Sequence, residues 1–292
     1  MRRTTFVKFP NEMNNAMLKP LIHTARLEYM ESIRARWFLV YSLVFGAVMV
    51  LLLASGLTES RVMGFTGLSR TLTTYIQICM AILPIFILIT MVRSVAGDRE
   101  AGVLEYMLAL PVPLGAWYWG KLLGRFVTVF LPVFLAVVVA VIWAAIRGFD
   151  VPWTEFLFST ALLVSLTWCF LGIGMLISTI AKTSDVAQGA AFTVWLVLLL
   201  FLDLILLGAM VREQMPHEAV VAIALLNPMQ VFRTASMLVF DPELILMGPA
   251  AHVILDALGR TGFLIYGFLY PAVFGTLCAV LGFVLFRRGD LQ

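Results

Sequence analysis

Charge is scarce in this chain of 292 residues: Asp, Glu, Lys and Arg supply 13%, against 62% hydrophobic residues and a mean hydropathy of +0.99. Soluble domains carry about 25% charged and about 45–50% apolar residues. No soluble core of this size could bury the excess, so the composition excludes a soluble domain and a disordered chain alike and points to an integral membrane protein. Cysteine is scarce too. Cys79, Cys169 and Cys278 fall inside apolar runs with no CxxC and no ligand spacing, which excludes a disulfide scaffold and reads as packing. Neither sign of charge dominates. Twenty basic residues stand against seventeen acidic ones, which excludes an electrostatic footprint for nucleic acid. Catalytic motifs are missing as well: there is no HExxH, no GxSxG and no pair of intramembrane carboxylates, and the only histidines are His23, His217 and His252. An intramembrane enzyme would lack its catalytic set, so the chain is expected not to be an enzyme.

What is present is a series of six long apolar windows: Trp37–Thr58, Thr71–Val92, Phe126–Ile146, Phe156–Ala181, Val186–Val211 and Thr261–Phe286. A helix rises about 1.5 Å per residue and the hydrocarbon core is about 30 Å thick, so each window is long enough to span. None alternates as an outer-membrane strand does. The expected fold is an all-α integral membrane bundle of six transmembrane helices.

Lys and Arg set its orientation. Fourteen of them lie before the first window, in the second and fourth connections and in the tail, against six in the remaining connections. Both termini are therefore expected in the cytoplasm. A cleaved signal peptide is not expected, because the first apolar run begins only at residue 37 and is longer than a signal core. Residues 1–36 read as a cytoplasmic segment, in which Leu18, Ile22, Ala25, Tyr29 and Ile33, continuing to Trp37 at the first window, fall at helical spacing. This is an interfacial helix leading into the first span and anchoring in membrane lipid.

The second connection runs from Arg93 to Arg125. Its stretch from Glu100 to Leu110 reads as a short amphipathic helix stopped by Pro111 and Pro113, a form suited to docking a soluble partner or to a plain interfacial connection. Trp117, Tyr118 and Trp119 follow where an aromatic belt would re-enter the membrane. Gly115 to Lys121 matches the opening of a phosphate-binding GxxxxGK loop. Leu122 stands where Ser or Thr should hold magnesium, and no strand precedes it, so no nucleotide site and no cofactor are expected in this chain.

The fifth connection, about 213–260, is expected outside. Its apolar Ala219–Leu226 is too short to span and could dip back into the bilayer, and Asn227-Pro228 and Asp241-Pro242 each read as a helix start. The first of these helices puts Val231, Phe232, Ala235, Leu238 and Val239 on one face and Gln230, Arg233 and Thr234 opposite. Asp203 is the one acid inside a window, where a charge costs about 2.5–3.5 kcal/mol at the helix centre. It reads either as a proton, cation or gate residue or as a neutral or hydrogen-bonded group fixing helix packing. Met210, Met215 and His217 are weak candidates for copper, since thioethers suit Cu(I), although methionine commonly fills gaps.

Three stretches together resemble the permease family of type ABC-2 ABC transporters. They are Gly97-Asp98-Arg99-Glu100-Ala101-Gly102-Val103-Leu104-Glu105 with Leu110-Pro111-Val112-Pro113, then Gly120-Lys121-Leu122-Leu123-Gly124, and Leu171–Ser178 with Ala181-Lys182-Thr183. The resemblance covers the chain after about residue 18; residues 1–17 have no match in it. It implies a homodimer in the inner membrane, seated on a separate cytoplasmic ABC ATPase dimer that binds ATP and magnesium. Residues 99–111 would be the coupling helix, with Arg99, Glu100, Gly102, Leu104, Glu105 and Leu110 as contacts, and Lys182 would open a second contact. Phe201–Leu207 and Leu225–Arg233 are similar to the branch that serves copper-site maturation of nitrous oxide reductase. That likeness implies a periplasmic β-helical partner docking on Asn227, Gln230, Phe232 and Arg233. The rival functions are an ABC-2 exporter of a lipid, drug or other hydrophobic cargo, and a proton- or ion-coupled secondary transporter built on Asp203.

Overall fold

The computed structural model describes residues 10–55, 67–109, 112–149, 151, 153–201, 204, 217–240 and 249–289. Among these, every regular element is helical. In chain order they are α1 (Pro10–Arg34), α2 (Arg36–Ala54), α3 (Gly67–Met91), α4 (Arg93–Glu100), α5 (Val103–Leu108), α6 (Leu114–Ile146), α7 (Trp153–Ile180) and α8 (Ser184–Leu196). A π-helical turn over Val197–Phe201 follows, then α9 (His217–Ala224), α10 (Pro228–Phe240) and α11 (Pro249–Gly289). Among the described residues, five stretches are long and apolar enough to cross a membrane: Arg36–Ala54, Thr71–Glu100, Leu114–Ile146, Trp153–Ile180 and Leu258–Arg288. Ser184–Leu200 is a shorter apolar helix, and the remainder of the Val186–Val211 window lies largely outside the described residues.

The helix ends differ from the apolar windows on the charged side. The second span passes through a kink at Val92 into α4, and α6 starts at Leu114 instead of Phe126. Polar and aromatic residues continue these helices because their partners sit on neighbouring elements, which hydropathy does not register. α1 is likewise longer than the expected Leu18–Trp37 helix at its start. It ends at a single extended residue, Ala35 (φ −73°, ψ 138°), where the chain bends into α2.

α7 is the central helix, with 67% of its apolar window buried against 17% for α2. Its crossing with α11 is so tight that a Cβ built on Gly172 would lie 2.0 Å from the Gly275 carbonyl oxygen, so only glycine fits. α1 packs along α6 in the same way: a Cβ on Gly124 would meet the Ala25 carbonyl oxygen at 2.5 Å. Buried tyrosines tie helices together through carbonyl oxygens. Tyr41 donates to Val129 at 2.8 Å and Tyr118 to Ala279 at 2.9 Å. In an apolar medium each such hydroxyl needs a partner.

The Trp117–Trp119 stretch is not a lipid-facing belt. Trp117 and Tyr118 are buried, the first stacked on Phe286 at 5.4 Å and the second against Phe283 at 5.3 Å. The false phosphate loop over Gly115–Lys121 is part of helix α6. Cys79 and Cys169 are fully buried and Cys278 partly so, as packing residues should be.

Candidate coupling site at the charged end of the bundle

The site is built around the kink between α3 and α4. Amides near the start of α4 lack the carbonyl partners of an unbroken helix, and Ser178 of α7 supplies one: its Oγ accepts from Val95 N at 2.8 Å and Ala96 N at 3.1 Å. On the other side, Lys121 Nζ donates to the Ser94 carbonyl at 2.8 Å, pairs with Asp98 and lies 4.8 Å from the Trp117 ring centre. Part-buried, charge-assisted contacts of this kind hold geometry better than exposed ion pairs. Arg125 of α6 pairs with Glu28 of α1, which brings α1 into the same cluster.

At its far end α4 is bound to the junction of α7 and α8. Arg99 Nη1 donates to the Ala181 carbonyl at 2.7 Å, and both terminal nitrogens reach the Thr179 carbonyl at 3.3–3.4 Å. These are carbonyls left over at the end of α7, where a guanidinium also meets the negative end of the helix dipole. Glu100 accepts from the Ser184 amide at 3.0 Å, at the start of α8. The Ser184 N–H, then its hydroxyl, hold the Glu100 carboxyl below its usual range; slight desolvation opposes them and Arg93 adds to the lowering. With its amide oxygen turned inward, Gln188 of α8 accepts from Arg93 Nε at 2.6 Å and Nη2 at 2.7 Å.

The chain then breaks. Gly102 takes φ +69°, with Ala101 N bonding Gly97 O at 3.0 Å and Gly102 N bonding Arg99 O at 3.1 Å, a helix stop that ends α4. The expected single helix over 99–111 is therefore two pieces. Arg99 and Glu100 finish one, while Leu104 and Glu105 sit on the short α5. Leu104 is 4% exposed and anchors α5 to the bundle, while Tyr106 is 72% exposed and Val103 40%. Glu105 is exposed beside them, Lys182 is exposed in the link to α8, and Leu110 lies outside the described residues. Arg99, half-buried, and Glu100, exposed, are both bonded to the α7–α8 junction, and the exposed surface runs from Glu100 onto α5. Tyr106, absent from the sequence-derived set, is its largest exposed side chain; an aromatic on the charged face of a short helix is the signal that marks it.

The candidate surface on α10 is corrected in part. Phe232 is 0% exposed and Asn227 2%, packed among α3, α7 and α11 instead of lying on an outer face. Asn227 has structural duties. Its Oδ1 accepts from Met229 N at 3.0 Å as a helix cap, and its Nδ2 donates at 2.6 Å to Leu198 O within the π-helical turn. The helix is buried on its polar side too, because Ser236 accepts from Gln77 Nε2 at 3.2 Å and Thr234 is 2% exposed. Gln230 and Arg233 are half-buried and interact within the chain. Asp203, Met210, Met215 and Asp241 lie outside the described residues, as does the side chain of His217. Among the described residues no group of three or more His, Cys, Asp or Glu side chains is placed to hold a metal.

The arrangement fastens α4, just ahead of the exposed α5, to α6, α7 and α8 through polar contacts. The profile of ABC-2 family transporter proteins matches residues 22–291. The chain belongs to the ABC-2 transporter family. It is 26% identical over 223 residues to the probable ABC transporter permease protein NosY of Stutzerimonas stutzeri, covering 74% of this chain and 81% of that one. It is 27% identical over 244 residues to the probable ABC transporter permease protein NosY of Pseudomonas aeruginosa, covering 76% and 83%. This ABC-2 permease is accordingly a multi-pass membrane protein of NosY-like sequence.

Proposed function

We propose that this chain is the membrane subunit of an ABC transporter that couples hydrolysis by a separate cytoplasmic ATPase to rearrangement of a permease dimer. The observation that carries this reading is the α4–α5 unit, with α5 exposed outward and α4 fastened to α6, α7 and α8. A push on Tyr106 and Glu105 would pass through Leu104 and the Gly102 turn to Arg99 and Glu100, and so to the ends of α7 and α8. For the push to drive a change, the ATPase must contact the two states of the bundle differently. The charged end would then be cytoplasmic, with both termini on that side. No part of this mechanism asks catalysis of the permease itself.

The NosY-like sequence supports placing the activity in copper-site maturation of nitrous oxide reductase, with force or cargo passed to an outer, β-helical partner. Copurification from native membranes tests this. An ATPase arriving with a secreted repeat protein supports the NosY-type assembly. An ATPase alone moves the assignment to an exporter of hydrophobic cargo, and neither partner removes the ABC coupling.

A further inference from the structure

The sides of α1 differ in what covers them. Glu28 and Ser32 are buried and the Ala25 carbonyl lies against Gly124, so this side packs on α6. On one flank, Thr24, Leu27 and Glu31 border a hollow shared with Val103 and Leu104 of α5. The other flank gathers Leu18, Ile22, Tyr29 and Ile33 into about one quadrant of the helix, the first two exposed and the others half-buried. Between the flanks, opposite α6, stand Lys19, His23, Arg26 and Arg34. All four are exposed, and none has an ion pair among the described residues. Lys19 and Arg26, two turns apart, are the two that border the apolar flank. The exposed acid, Glu31, lies on the α5 side.

α1 also lies at the level where apolar windows end. A Cβ on Gly115 would meet the Met17 methyl at 3.1 Å and the Phe283 ring at 3.8 Å, and Phe283 stands in the last turn of the window Thr261–Phe286. Further along, Glu28 pairs with Arg125, one turn past Lys121, whose ammonium reaches the Ser94 carbonyl just beyond Val92. At Ala35 the chain turns into the first span. The apolar flank therefore sits where headgroups meet acyl chains, with cations along its edge. That edge bears no carboxylate to receive the ammonium of a zwitterionic lipid. An acidic soluble partner would satisfy the cations but leave Leu18 and Ile22 in water.

We propose that the outer face of α1 binds anionic phospholipid and so selects the charge of the lipid beside it. Lys19 and Arg26 pair with the headgroup phosphates, His23 and Arg34 continue the basic ridge toward water, and Leu18 and Ile22 enter the upper acyl region. The face points away from α5, and its assignment does not depend on the coupling reading.

Photolabelling of the full chain tests it, in nanodiscs of mixed phosphatidylglycerol and phosphatidylcholine with an acyl-chain diazirine on one lipid or the other. Peptide mass spectrometry then maps the adducts. Residues 18–33 should be labelled mainly by the phosphatidylglycerol probe. Lys19→Gln and Arg26→Gln should each lower its ratio to the phosphatidylcholine probe about fivefold. On α11, where Leu269, Val273 and Leu277 are exposed, the ratio should not change in either variant, which reports an intact bundle. Salt at about 1 M, where the Debye length is about 3 Å, should compress the wild-type preference with no substitution at all. Equal labelling of residues 18–33 by the two probes in the wild type overturns the selection of headgroup. A ratio unchanged in both variants overturns the roles of Lys19 and Arg26. Labelling of this face by neither probe shows that protein covers it and overturns the lipid contact.

Discussion

Gly172 and Gly275 face each other where α7 and α11 cross, and the contact there is backbone on backbone. A flexible side chain could yield to an added methyl, but a helix backbone at a buried crossing cannot. Gly172→Ala should therefore lower stability by about 1–3 kcal/mol, toward the upper end, measured as detergent-solubilised thermal unfolding. Gly189, in α8, has nothing within 4 Å of its built Cβ, so Gly189→Ala should be neutral or stabilising by about 0.5–1 kcal/mol. Glu100 carries a pH signature. Its folded-state pKa is depressed by the Ser184 contact, so that contact stabilises the α8 start above the unfolded carboxyl pKa of about 4.3 and is lost as pH falls through the lower folded value. Amide protection of Ser184 in hydrogen exchange should drop over that acid range in the wild type and be weak throughout in Glu100→Gln.

At the scale of elements, α4 and α5 divide what sequence reads as one coupling helix. The charged stretch between two apolar runs, with its proline stop, marks where long helices give way to short ones. Its inner division is set by Gly102, whose positive φ no periodicity reveals, and by bonds from Arg99 and Glu100 to residues some eighty positions away. α10 misleads for a related reason. Its apolar stripe and polar stripe read as a surface helix, yet Ser236 and Asn227 find buried partners on α3 and the π-helical turn, so both sides go inward. Arg99 gives this division a test. Arg99→Lys keeps the charge but loses the fork that reaches both Thr179 and Ala181, at a cost of about 1–2 kcal/mol given its partial exposure. In reconstituted complexes with the partner ATPase, hydrolysis should persist in this variant while its coupling to the membrane step falls. Tyr106→Ala, by contrast, should weaken ATPase binding with bundle stability unchanged.

For the whole molecule, composition alone specifies a membrane bundle, since apolar runs of this length have no other solvent. The windows match five long apolar helices in order, with α8 and the π-helical turn beginning the remaining one. Windows mark the hydrocarbon and not the helices, which continue past it where Arg93, Lys121 and Trp117 find partners inside the bundle. The bonds that Arg99 and Glu100 make to the α7–α8 junction were not legible, because they join residues some eighty positions apart through the tertiary fold. The Lys and Arg bias predicts both termini in the cytoplasm, so a reporter that works only in the cytoplasm should be active when fused after Gln292, and an inactive fusion would contradict that orientation.

The central claim is that α5 is the surface the ATPase grips. Site-directed cross-linking tests it most directly, because the native cysteines Cys79 and Cys169 are buried and Cys278 is partly so. Tyr106→Cys, co-expressed with the ATPase, should give a cross-linked heterodimer whose yield changes with nucleotide. Trp153→Cys, 61% exposed near the opposite end of the bundle, should give none. A cross-link from Trp153→Cys with none from Tyr106→Cys would contradict the account.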